Sequence, residues 1–88
     1  PRRVDYVWGH GMLLRAAALR AVGGFDPGFF MYCEDLDLCR RMAAADWEVW
    51  CDSAAVMHHA VADGARATQS ESWRWRMKMA SARHFYRK

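Results

Sequence analysis

Residues 30–43 read FMYCEDLDLCRRMA, an aromatic approach that runs into three carboxylates and then into an apolar helical pattern. Leu36, Cys39, Met42 and Ala43 recur at three- and four-residue steps, which predicts an α-helix from Glu34 to about Ala45. Asp46 then stands where a C-terminal cap is needed, and Asp accepts left-handed backbone geometry better than most residues. Acids in a first helical turn ordinarily compensate exposed amides, each contributing roughly 0.3–1 kcal/mol. Geometry separates these three, because Asp35 and Asp37 lie about 200° apart around a helix and cannot share a face. Asp37 is spaced to pair with Arg41 at i+4. Asp35 is left to point elsewhere, and a carboxylate at the mouth of a cleft can take a proton from an attacking hydroxyl.

Upstream, Val7–Leu14 (VWGHGMLL) mixes aromatic, β-branched and Gly residues and predicts a strand whose glycines admit close approach. Arg15–Val22 is a run of helix formers that stops at Gly23-Gly24. Asp26-Pro27-Gly28-Phe29 has the central residues of a type II turn. Downstream, Trp47–Cys51 and Ala54–His59 alternate as two short strands around Asp52-Ser53, and Val61–Ser70 reads as a loop. Ser70 is placed to cap a final helix from Glu71 onward.

The chain has 88 residues, 53% hydrophobic and 14% aromatic, enough for one packed domain but short for a complete enzyme. It starts on Pro1 and ends on Arg87-Lys88 within a helical pattern, so a piece of a longer protein is expected. No apolar run reaches the roughly 20 residues that span a bilayer, and the N-terminus has no signal-peptide layout. Three cysteines without a Cys-x-x-Cys pair argue against a disulfide framework, read as buried apolar groups, and suit a cytoplasmic location. A zinc site from Cys33, Cys39, Cys51 and His58 has the wrong spacing. The net charge of +3 is uneven: six of the thirteen bases fall in 73–88, a segment without acids. Its Trp73, Trp75, Met77 and Met79 alternate with Arg74, Arg76 and Lys78. The readings are an amphipathic helix packed on the domain, a helix lying on anionic lipid, or, ranked last, a nucleic-acid contact.

The stretches WGHGMLLR, GGFDPGFFMY, EDLDLCRR, ADWEV and VMHH, in ungapped order from Tyr6 to His59, resemble the C-terminal half of the catalytic domain of family 2 glycosyltransferases. The likeness is strongest to the bacterial rhamnosyltransferase-like branch. It implies an α/β architecture: the C-terminal portion of a nucleotide-diphospho-sugar transferase (GT-A type) fold, a few short strands with three helices. The whole of 1–88 is then the acceptor-side part of one catalytic domain, with 71–88 its basic helix. The activity implied is inverting transfer from a nucleotide-diphosphate sugar to a hydroxyl of a glycan or lipid-linked acceptor. The resemblance makes Asp35 the general base. Glu34, Trp8 and Gly9 become acceptor contacts, Asp37 a structural residue and His58, or else His59, a metal ligand. The cation is Mn2+ or Mg2+, held mainly by the nucleotide-side Asp-x-Asp element, which the resemblance places outside these residues and which is distinct from Asp35-Leu36-Asp37, so the piece alone is expected to be inert. A peripheral contact with the inner face of the cell membrane through 73–88 fits such an enzyme. The departures are His10, in place of a small residue, and Asp46, in place of Gly. The rival reading is a non-catalytic basic module for membranes or nucleic acid.

Overall fold

The computed structural model describes residues 1–29, 32–58 and 70–87. His59, most of the Val61–Ser70 stretch and Lys88 lie outside the described residues. The elements, in order, are β1 (Arg2–Arg3), a 3-10 turn (Gly9–Gly11), α1 (Ala16–Val22), α2 (Glu34–Ala44), β2 (Trp50–Cys51) and α3 (Glu71–Arg87). Among the described residues the architecture is mixed α/β: three helices, as expected from the sequence, and one two-stranded sheet whose first strand, Arg2–Arg3, was not expected.

α1 and α2 end by the same device. At α1, the Gly23 amide donates to Arg20 and the Gly24 amide to Leu19, with Gly23 at φ 82°. At α2, Asp46 donates to Ala43 and Trp47 to Met42, with Asp46 at φ 68°. Both are Schellman closures, which need one left-handed residue just past the helix. The second puts Asp46 where Gly is the easier fit.

Ala18 of α1 meets Leu38 and Met42 of α2, and Met12, Leu14, Leu19, Val22 and Trp47 pack around them. Leu38 is fully buried, a side chain whose removal from water contributes about 1.5–3 kcal/mol. The buried face of α2 therefore runs through Leu38, Cys39 and Met42; Leu36 is only half-buried and Ala43 is exposed. The expected face was rotated because Asp37 and Arg41 turn inward with it.

Arg41 explains that rotation. Its Nε donates to Asp37 Oδ2 at 2.8 Å, while its two terminal nitrogens donate to the carbonyls of Val22 and Gly24, each at 2.8 Å. One guanidinium thus satisfies a fully buried carboxylate and two carbonyls at the end of α1. The i+4 pairing of Asp37 with Arg41 and its structural role are both observed.

Three expectations are corrected. Val7–Leu14 is not a strand: the Gly11 amide donates to the Trp8 carbonyl at 3.2 Å and the chain turns at Gly9–Gly11. Ala54–His59 is not a strand over its described part, because the Ala54 and Ala55 amides turn back onto Asp52, whose side chain and carbonyl accept them. Of the expected Trp47–Cys51 strand, Trp50–Cys51 pairs antiparallel, with Cys51 opposite Arg2 and Trp50 opposite Arg3, and the Val49 carbonyl accepts the Val4 amide at 2.8 Å, while Trp47–Glu48 does not join. The Asp26–Phe29 turn is present, closed by the Phe29 amide on the Asp26 carbonyl at 3.2 Å. It is not type II, since Gly28 does not take the positive φ which that type requires.

α3 starts at Ser70, whose Oγ accepts the Trp73 amide at 3.0 Å, the cap expected from the sequence. It docks on the domain through buried Ser81 and Phe85. Arg40 lies over the Phe85 ring at 4.3 Å and Lys78 over the Tyr32 ring at 5.3 Å.

Candidate functional site

The N-terminus of α2 is built on unusual backbone. Tyr32 and Cys33 both take positive φ, 69° and 63°, immediately before Glu34 and Asp35. Two consecutive non-glycine residues in this region cost on the order of 1 kcal/mol or more each, a strain of the kind that clusters at functional sites. Cys33 precedes the first helical residue without a side-chain cap; its carbonyl accepts the Asp37 amide at 2.9 Å.

Asp35 emerges from this turn half-exposed, held at both oxygens. The Gly9 amide donates to Oδ2 at 2.8 Å and the Leu36 amide to Oδ1 at 2.8 Å. Asp35 and Asp37 point to opposite flanks, one to the glycine turn and the other to Arg41. A Cβ on Gly9 would meet the Asp35 Cβ at 3.5 Å, an ordinary contact. The glycine's amide, rather than its missing side chain, is what the carboxylate uses.

Trp8 is 61% exposed, which excludes the core position that an aromatic there also permits; its ring meets His10 edge-on at 5.2 Å. Glu34 is half-buried, and its Oε2 is buried without a hydrogen bond among the described residues. Met57 reaches the same turn from the other side, its Cε 3.1 Å from where a Gly11 Cβ would stand. The structure therefore gathers Trp8, Gly9 and Asp35 around one turn, with Glu34 next in chain.

His58 is exposed and lies outside any strand, so the alternation that would choose between it and His59 has no basis. Among the described residues, no three His, Cys, Asp or Glu side chains converge as metal ligands. The described residues do not by themselves form a cation site.

The three cysteines are free; Cys39 is buried as expected, whereas Cys33 is half-buried and Cys51 exposed. Burial raises the Cys39 thiol above its ordinary pKa, offset in part by the Val7 carbonyl 4.0 Å from its sulfur and reinforced by Asp35. Burial raises Cys33 as well, followed by the charges of Asp35 and Glu34. Neither thiol is set up as a nucleophile. An open depression of about 420 Å3 lies between Met12–Arg15 and Trp47–Trp50, away from Asp35, and its apolar walls belong to the α1–α2 core.

One contact was beyond sequence reasoning. His84 Nε2 lies 2.9 Å from Asp26 Oδ2, and the His84 ring meets Phe29 edge-on at 4.5 Å. It ties α3 to the turn upstream of the acids across 58 residues, and only the tight Asp26-Pro27-Gly28 turn hints at it.

The chain is 40% identical over 76 residues to "Rhamnosyltransferase WbbL" of Escherichia coli, covering 85% of this chain and 28% of that protein. It is 46% identical over 59 residues to "N-acetylglucosaminyl-diphospho-decaprenol L-rhamnosyltransferase" of Mycobacterium tuberculosis, covering 66% of this chain and 19% of that protein. The chain thus spans under a third of the length of either relative. No solved structure matches it. The family model described as "Glycosyl transferase family group 2" matches residues 2–86, nearly the entire sequence, and the chain belongs to that family.

Proposed function

We propose that the chain is the acceptor-side portion of a glycosyltransferase of the GT-A type fold, with Asp35 as general base. The protein transfers a sugar from a nucleotide-diphosphate donor to a hydroxyl of a glycan or lipid-linked acceptor. The acceptor oxygen attacks the anomeric carbon and its proton passes to the Asp35 carboxylate. The bond to the diphosphate breaks with its electron pair on the leaving group, and the anomeric configuration inverts. The nucleotide-binding part lies in residues other than these, so residues 1–88 alone do not turn over.

The observation that carries this reading is the grip on Asp35. Two amides at 2.8 Å fix its carboxylate at a partly open turn, beside exposed Trp8 and behind a strained backbone. A general base must be held in orientation yet reachable by the hydroxyl it serves. Trp8 offers a flat face to a sugar, and Glu34 and the glycine turn border the same place. The names of the two relatives favour a rhamnosyl donor, and the second favours a polyprenyl-diphosphate-linked acceptor. Free cysteines fit a cytoplasmic reaction.

The test is transfer by the full-length protein from a nucleotide-diphospho-rhamnose to a polyprenyl-diphospho-sugar, with and without Asp35→Asn. Loss of about 10²–10⁴ in kcat at unchanged donor affinity and melting temperature is expected. Transfer by Asp35→Asn within a few fold of the parent would remove Asp35 from the mechanism.

A further inference from the structure

The outward side of α3 carries two parallel stripes that the transfer reaction does not use. Trp75, Met79 and Tyr86 fall within about 40° of one another around the helix. They are 62%, 41% and 83% exposed. Arg76, Arg83 and Arg87 form a second exposed stripe about 80° further round. Ser81 and Phe85, the residues buried against the domain, lie on the other side of the helix, as does the His84 contact with Asp26. α3 is thus anchored by one face and presents the other. No helix among the described residues is long and apolar enough to cross a membrane.

Charge decides what fits the outward face. α3 holds a single acid, Glu71, in its first turn, whereas the chain before Trp73 is net acidic. An anionic surface is therefore attracted to this helix and repelled by the rest of the described domain. The apolar groups and the arginines are also segregated, not interleaved. That arrangement suits a planar boundary, with indole, phenol and thioether below the plane and guanidinium groups at its phosphates. A nucleic-acid strand would ask for the two kinds to alternate along its path.

We propose that α3 lies on the surface of a bilayer containing anionic lipid, with Trp75, Met79 and Tyr86 entering the headgroup boundary and Arg76, Arg83 and Arg87 on lipid phosphates. The contact stands on α3 alone and does not depend on the assignment of Asp35. Its consequence is positional: the helix that touches lipid also packs on Tyr32 and Asp26, in the segment leading into Glu34 and Asp35.

The experiment is sedimentation of the full-length protein with vesicles of phosphatidylcholine, alone or mixed with phosphatidylglycerol, without donor or acceptor. Binding to the mixed vesicles is expected. Arg76→Gln with Arg83→Gln should weaken it roughly thirtyfold, and Trp75→Ser with Tyr86→Ser should also weaken it, the melting temperature holding in both. In the parent protein, brominated lipid should quench fluorescence that Trp75→Phe removes. Failure to bind the mixed vesicles, or binding by both double variants as tight as the parent's, overturns the proposal. So does a doubled mass in light scattering that either double variant restores to one copy, which would make a second chain the occupant.

Discussion

The Gly9 amide and Asp35 Oδ2 stand 2.8 Å apart across 26 residues of sequence. This bond explains why a stretch patterned like a strand turns instead: the amide that a sheet would use is committed to a carboxylate. It also separates two roles for the glycine. If the missing side chain mattered, Gly9→Ala would be harmful, yet the added Cβ meets only an ordinary contact. Gly9→Pro removes the donor, and the site admits the ring because Trp8 already has the extended backbone, φ −80° and ψ 144°, that precedes proline. Gly9→Ala should keep transfer within a few fold, and Gly9→Pro should lower kcat by about 10–100-fold, the worth of a hydrogen bond to a charged group. Steady-state kinetics on the two variants checks this.

The Asp37–Arg41 pair predicts the opposite pattern, loss of stability without loss of chemistry. Arg41→Met would remove the 2.8 Å partner of a fully buried carboxylate, leaving Arg40 3.8 Å from its Oδ1, and free two carbonyls at the end of α1. Breaking such a pair should cost about 3 kcal/mol in urea unfolding. Arg41→Lys should recover only part, because an ammonium cannot serve three acceptors in the fork geometry. The kcat of the folded fraction should be unchanged in both.

How much of this was legible in the sequence follows from how local each cause is. α1, α2 and the start of α3 were readable to within a residue or two because their signals are short-range: periodicity, Gly23-Gly24, Asp46, and a cap at Ser70. The Asp37–Arg41 pair was readable because helical spacing sets it. The glycine turn and the Asp26–His84 contact were not, and for α3 the sequence left open which residues pack and which face outward, since each depends on residues distant in sequence. Residue types misled at Val7–Leu14 and alternation at Ala54–His59, where the described amides bond elsewhere. The acids were legible as a group, but only the fold shows that Asp35 is gripped from a second segment.

Asp46 gives a stabilising prediction. It is exposed and sits at φ 68°, a conformation that costs L-residues about 1 kcal/mol and glycine nothing. Asp46→Gly should gain roughly that amount less the greater chain entropy of glycine, a net rise of a few tenths of a kcal/mol or more. Asp46→Val, β-branched and unable to relax there, should lose more than 1 kcal/mol. Thermal unfolding of the pair, with the Schellman closure of α2 as the shared feature, reads both signs.

Gly28 and His84 supply the last test. A Cβ on Gly28 would approach His84 Cε1 to 2.6 Å, closer than carbon atoms stand. The imidazole cannot simply swing aside without loss, because it is engaged by the Asp26 carboxylate and by the edge of Phe29. Gly28→Ala should therefore release His84 and loosen the C-terminal part of α3, raising amide hydrogen exchange over residues 81–87. His84→Ala removes the same contacts from the other side and leaves room for the new methyl group. The double variant should exchange little faster than His84→Ala alone, since the methyl acts mainly through the imidazole, its remaining close neighbour being Asp26 Oδ1 at 3.1 Å. Additive effects would mean that Gly28 is required by the backbone of its own turn, and that α3 is held chiefly by Phe85 against Arg40.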